Sequence, residues 1–78
     1  MYYVYILKCN DDRFYVGCTG NLKERVNRHN DNKVPATSNR LPVELKFYCC
    51  FVNKYLAFDF EKYLKSGSGR AFTKKHLI

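Results

Sequence analysis

Two charged side chains stand where a helix would normally present hydrocarbon. In the stretch RFYVGCTGNLKERVNRHN, Leu22, Arg25, Val26 and His29 follow i, i+3, i+4, i+7, one stripe of a 3.6-residue period. Further on, Ala57, Phe60, Glu61 and Leu64 repeat that spacing, with Glu61 as the charged member. A buried charge without a partner is strongly destabilising. Arg25 and Glu61 therefore either form a structural ion pair with each other, or border a groove where a ligand and water satisfy them. A groove holding one guanidinium, one carboxylate, an imidazole and tyrosine hydroxyls is equipped for phosphodiester hydrolysis. Its carboxylate can hold a divalent ion that polarises the phosphate and stabilises the leaving oxygen. Arg25 can grip the non-bridging oxygens as negative charge builds in the transition state. A tyrosine or His29 can orient or deprotonate water.

The elements that must hold these groups are legible from turn residues and periodicity. YYVYILKC is dense in Tyr, Val and Ile and is bounded by the turn cluster NDD. RFYVGC follows at once, so residues 2–9 and 13–18 read as an antiparallel hairpin. If that hairpin pairs in even register, odd positions of both strands share a face. After TGN, Asn21 is a good N-cap with Glu24 three residues on, which predicts a helix from Asn21 to Asn30. The polar segment DNKVPATSNRLP carries both prolines and reads as a surface loop. VELKFYCCF alternates with Leu45, Phe47, Cys49 and Phe51 on one face, a third strand. A longer helix is expected from Lys54 to Lys65, stopped by SGSG, where Gly67 can take the left-handed cap conformation. RAFTKKHLI closes the chain as a short helical end anchored by Phe72 and Leu77. The order β-β-α-β-α-α gives an α+β fold, a three-stranded antiparallel sheet flanked by helices.

Seventy-eight residues suffice for one domain with one modest core, to which 7 Tyr and 6 Phe must contribute much of the buried area. The net charge of +7 implies an anionic partner, of which nucleic acid is the commonest for a small basic domain. A well-solvated surface is the plainer alternative. Arg28, Lys33 and Arg40 around the loop, and Lys62, Lys65, Arg70, Lys74 and Lys75 towards the C-terminus, are candidate phosphate-backbone contacts. Such contacts bring affinity and salt dependence without sequence readout. Cys9, Cys18, Cys49 and Cys50 contain no C-x-x-C pair, and adjacent Cys49 and Cys50 would point to opposite sheet faces. Free thiols are expected rather than a zinc site. No apolar run is long enough to span a membrane, and MYYVYILKC reads as a strand rather than a signal peptide. A cytoplasmic protein with reduced cysteines is the expectation.

YVY at Tyr3–Tyr5, YVG at Tyr15–Gly17, an Arg and a His in the following helix and one Glu in a later helix together resemble the GIY-YIG nuclease domain. The closest likeness is to small stand-alone members. The resemblance extends through AT…R.P.EL.FY and FEKYLKSGSGRAF, so it covers nearly the whole chain. It implies a three-stranded sheet flanked by helices and metal-dependent hydrolysis of DNA phosphodiesters, with Mg²⁺ or Mn²⁺ as a single divalent ion and a setting such as DNA repair. By the same resemblance Tyr5 contacts the attacking water and Tyr15 hydrogen-bonds near the scissile phosphate, either being eligible as base. Arg25 matches the phosphate-gripping arginine, Glu61 the one protein ligand of the metal, and His29 a position near the scissile phosphate. Gly17 lets the backbone turn closely at the strand's end. A helix-end histidine such as His29 can otherwise be a solvent-facing partner of the C-terminal dipole. The chain departs from the pattern at Tyr3, where the first motif glycine stands, and at Cys18, where repair-type members carry lysine. It also lacks a clear match to an asparagine that follows the glutamate in many of them.

Three functions fit these residues: a low-specificity DNA endonuclease, a catalytically weak nucleic-acid-binding module on the same fold, or a domain directed to its target by a protein partner. In the second, binding survives Glu61→Ala and needs no metal.

Overall fold

A computed structural model describes all 78 residues. Strands β1 (Tyr2–Lys8) and β2 (Phe14–Thr19) form the hairpin, followed by helix α1 (Leu22–Asn30) and a 3-10 turn at Pro35–Thr37. Strand β3 (Glu44–Phe51), helix α2 (Lys54–Leu64) and helix α3 (Gly67–His76) complete the chain. The sheet is antiparallel throughout, in the order β2-β1-β3, so the predicted β-β-α-β-α-α arrangement is the observed one.

The hairpin pairs in the even register. Tyr5 lies opposite Gly17 and Leu7 opposite Tyr15. Odd positions of β1 therefore look to one side, where Tyr5 and Leu7 pack with Cys9, Val43 and the α1 residues Leu22 and Val26. Even positions look to the other, where Val4 and Ile6 pack with Ala57 and Leu64 of α2. Phe72 and Leu77, the expected anchors of the last helix, dock against that second cluster. A chain of rings joins the layers there: Phe51 to Phe60 at 5.7 Å between centroids, Tyr63 to Phe72 at 6.0 Å and Phe72 to His76 at 5.0 Å.

Two local expectations are corrected. Leu45 does not share a face with Phe47, Cys49 and Phe51. The β1–β3 register slips between Ile6 and Leu7, pairing Phe47 with Ile6 but Leu45 with Leu7. One extra residue in β3 turns Leu45 to the α1 side, which a strict period of two cannot foresee. Gly67 is not a left-handed helix stop, since no glycine has positive φ. It is the first residue of α3, and Ser66 is the cap between the two helices. The Ser66 hydroxyl donates to the Tyr63 carbonyl at 2.6 Å and accepts from the Gly69 N–H at 3.1 Å, serving the end of one helix and the start of the next. Gly69 is needed because a Cβ there would overlap the Tyr63 carbonyl oxygen and the Leu64 backbone.

The first helix is fixed at both ends. Asn21 Oδ1 accepts from the Glu24 N–H at 3.1 Å. At the C-terminus Asn32 adopts φ 61°, and the N–H groups of Asn32 and Lys33 donate to the carbonyls of His29 and Arg28, a Schellman closure with Asn in place of Gly. The loop that follows is tied down twice. Arg40 pairs with Asp11 at 3.0 Å while its carbonyl accepts from the Asn10 N–H at 2.8 Å, and Asn30 Oδ1 accepts from the Val43 N–H at 3.2 Å.

The corner between α2 and α3 is tested by comparing two glycines. Gly69→Ala should destabilise by about 1–3 kcal/mol through overpacking, lowering Tm by at least roughly 4 °C for a domain of this size. Gly67→Ala faces open space and should leave Tm unchanged or raise it slightly. Thermal unfolding followed by circular dichroism separates the two outcomes.

Candidate active site

The five residues expected to act together are gathered around β2, the edge strand. Tyr5 is fully buried, and its ring lies across β2 because Gly17, its cross-strand partner, has no side chain. A Cβ at Gly17 would overlap the Tyr5 hydroxyl and ring. The glycine of YVG is thus needed for space beneath a tyrosine, more than for a turn.

His29 is fully buried as well, not a solvent-facing cap. Its Nε2 stands 3.0 Å from Tyr5 Oη and its Nδ1 2.8 Å from Thr37 Oγ1, both inside the protein. The rings of Tyr5, Tyr15 and His29 form a compact cluster, with centroids 5.8 Å apart for Tyr5–His29 and 5.2 Å for Tyr15–His29. Burial pushes the Tyr5 phenol up to about 12; Tyr15 and Glu61 add to the rise, and the neighbouring Arg25 guanidinium opposes it. Burial lowers the His29 pKa, and Arg25 adds to that lowering. The pair at rest is a neutral phenol beside a neutral imidazole.

Arg25 and Glu61 are both half-buried, and they do not pair with each other. Glu61 Oε2 is instead 3.3 Å from Lys65 Nζ, one helical turn on, and Arg25 has no carboxylate within 4.0 Å. The structural ion pair left open by the sequence is excluded. The two charges nevertheless meet the same groups: both act electrostatically on Tyr5 and on Cys18. Arg25 belongs to α1, which packs on one face of the sheet, and Glu61 to α2, which packs on the other. Cys18 itself packs with the α2-side cluster, and burial raises its thiol pKa.

Of the expected backbone contacts, Arg40, Lys65, Arg70 and Lys74 line one groove of about 990 Å³ that reaches Tyr15. Arg13, not singled out in the sequence, joins them. Arg28, Lys33, Lys62 and Lys75 lie outside this groove, and Arg28 is 4.0 Å from Glu24. Thr37 was also missed. Within a polar loop nothing marks a threonine for complete burial, although it sits in the AT segment that carries part of the family likeness.

As a metal site the cluster offers a single carboxylate. No group of three or more His, Cys, Asp or Glu residues converges anywhere. This suits a hard ion such as Mg²⁺, which keeps several waters and binds through one or two carboxylates plus substrate phosphate. Lys65 Nζ on Glu61 Oε2 shows that the carboxylate already accepts a cation from the groove side.

Residues 1–75 match the GIY-YIG catalytic domain. The chain belongs to the GIY-YIG family. That family is one of nucleases, and its members generally use divalent metal ions and act on nucleic acid. A UPF0213 protein of Clostridium perfringens is 44% identical over 66 residues, which is 83% of this chain and 71% of that one. A UPF0213 protein of Bacillus licheniformis is 42% identical over 65 residues, 82% of this chain and 67% of the relative. The solution structure of a UPF0213 protein from Bacillus halodurans superposes with a TM-score of 0.61 at 32% identity, covering 96% of this chain and 82% of the other. No helix is long and apolar enough to cross a membrane.

The lowered pKa of His29 has a sign that stability must follow. Below its ordinary value of 6.5 the unfolded chain binds a proton that the folded chain resists. Stability should be level above that value and fall as pH drops from about 7 to about 5. Wild type should therefore lose Tm over that interval, and His29→Gln should lose less. An equal loss in both proteins would place the proton uptake on other groups.

Proposed function

We infer that the protein is a metal-dependent endonuclease that hydrolyses DNA phosphodiesters with little sequence specificity. The observation that carries this reading is that Arg25 and Glu61 flank one buried Tyr5–His29 pair without satisfying each other. Structural charges on inward stripes would have closed into an ion pair. Arg25 instead keeps no carboxylate partner and is free for an anion, while Glu61 rests on Lys65 and is open to a competing cation.

The chain's own residues divide the work. Arg25 holds the non-bridging oxygens and stabilises the charge that develops on them, a contribution of about 10²–10³ in rate for one such donor. Tyr5 Oη orients the attacking water. As the water oxygen bonds to phosphorus, its proton passes to Tyr5 Oη and the phenolic proton passes to His29 Nε2. The high pKa of Tyr5 disfavours a free phenolate at rest, so a bonded acceptor on its far side matters. Tyr15, beside His29 and at the mouth of the groove, hydrogen-bonds near the scissile phosphate. Glu61 is the ligand for one Mg²⁺ or Mn²⁺, which supplies Lewis-acid polarisation of the phosphate and stabilises the leaving oxygen. Glu61 would have to exchange its Lys65 partner for such an ion.

The groove lined by Arg13, Lys65, Arg70 and Lys74 carries the nucleic-acid backbone away from the cutting site. Nothing in it is built to read bases, so DNA shape or a protein partner chooses the target, as repair or processing of damaged or branched DNA would require. Arg40, tied to Asp11, contributes more to holding the loop than to binding. Four free cysteines suit a cytoplasmic setting.

Nicking of supercoiled plasmid tests the reaction. Wild type should relax the plasmid with Mg²⁺ or Mn²⁺ and not with EDTA. Arg25→Ala and Glu61→Ala should each lose about 10²-fold or more while keeping their circular dichroism spectra. Absence of cutting, with equal salt-sensitive binding in all three proteins, would leave a binding module on a nuclease fold. Arg70→Ala and Lys74→Ala should weaken binding equally across DNA sequences, each reducing the slope of log K against log salt by roughly one. A slope unchanged in both would move the binding track elsewhere on the surface.

A further inference from the structure

His29 has two ring nitrogens and both are engaged, yet the proposed reaction concerns only Nε2. The far nitrogen decides what that near one can do. A neutral imidazole carries one N–H; if it sits on Nε2, His29 donates to Tyr5 Oη and has no lone pair there to accept a proton. Thr37 is where this is decided. Its Oγ1 is 2.8 Å from His29 Nδ1 and 3.5 Å from the Val34 carbonyl oxygen, and both Thr37 and His29 are fully buried. A carbonyl only accepts. The Val34 contact is long for an O–H···O bond, but with the Thr37 hydroxyl turned that way the Oγ1 lone pairs face Nδ1, which then carries the proton.

We propose that Thr37 is a positioning residue that holds His29 as its Nδ1–H tautomer, leaving Nε2 as the acceptor for the Tyr5 hydroxyl. The inference rests on the nuclease reading for its catalytic consequence, but the tautomer is a property of the free protein. The fold around Thr37 suits the task. Its 3-10 turn lies in the loop that Arg40 fastens to the β1–β2 turn and that Asn30 fastens to β3 through Val43. The Thr37 N–H also donates to the Val34 carbonyl at 3.1 Å, and the Thr37 carbonyl accepts from the Arg40 N–H at 2.9 Å. The other groups facing the imidazole are Tyr5, Tyr15 and Arg25, and none of them can accept from Nδ1 while Thr37 occupies it.

The test combines long-range ¹H–¹⁵N correlation spectra of the His29 ring in the full chain with plasmid nicking in Mg²⁺. Wild type and Thr37→Ser should show a protonated Nδ1 and an unprotonated Nε2. Thr37→Val should shift the ring towards Nε2–H or a mixture. Its kcat should fall on the order of tenfold to a hundredfold, the scale of an imidazole's orienting partner, with KM unchanged, and Thr37→Ser should recover most of the loss. An Nε2–H ring in wild type overturns the proposal, as does a Thr37→Val protein with unchanged spectrum and rate. If Thr37→Val fails to fold, the wild-type and Thr37→Ser spectra still decide the tautomer. If wild type does not cut DNA but the ring is Nδ1–H and shifts in Thr37→Val, the positioning stands and the nuclease reading falls.

Discussion

Tyr5 lying flat over Gly17, with its hydroxyl against His29, is the contact around which the rest of the molecule is arranged. It requires a glycine opposite the tyrosine, which fixes the hairpin register. It also requires a helix that delivers a histidine to the same face. Leu22 and Val26 supply the apolar contacts that seat that helix on the sheet, and Asn21 and Asn32 close its ends. Remove the space at Gly17 and the phenol must leave the core, taking with it the partner of the buried imidazole. A hydrogen bond of this kind is modest in net energy, but leaving either group buried and unpaired costs about 1–3 kcal/mol.

Around this neutral pair the charges follow a different logic. A closed Arg25–Glu61 bridge would tie the site shut at β2 and would discharge both groups. The absence of that bridge keeps them responsive, and Lys65, itself half-exposed, moderates the carboxylate from the next helical turn, where such i, i+4 pairs are worth only about 0.3–0.5 kcal/mol at a surface. The same low value means the lysine is easily displaced. The phenol and imidazole sit between these charges without being ionised by them.

Much of this is legible in the sequence. The i, i+3, i+4, i+7 stripes exposed Arg25 and Glu61 as misplaced for a core, and the alternation in the two N-terminal strands put Tyr5 and Tyr15 on one face for an even register, which is the one observed. The capping pattern at Asn21 and Glu24 located the first helix. What pattern could not supply was whether two inward charges pair, because that depends on which side of the sheet each helix packs. Nor could it locate Thr37: burial of a hydroxyl in a loop follows from tethers at Asp11 and Asn30 that are distant in sequence. The slip at Leu45 and the start of α3 at Gly67 were misread for related reasons. A single extra strand residue inverts a face, and a Ser-Gly-Ser-Gly string looks alike whether it ends one helix or begins another.

The slip in β3 has a bearing on how the molecule meets copies of itself. A three-stranded sheet has two open borders, each an invitation to strand addition by another chain. On the β2 side the candidate site residues and the basic groove occupy the border. On the β3 side the register slips at Lys46, the kind of bulge that bends a strand, and Glu44 and Lys46, two apart on it, form an ion pair at 3.1 Å. A bent, charged border is a poor template for a flat incoming strand. The same irregularity that defeats a simple reading of the sequence thus makes this border a poor seat for a second strand.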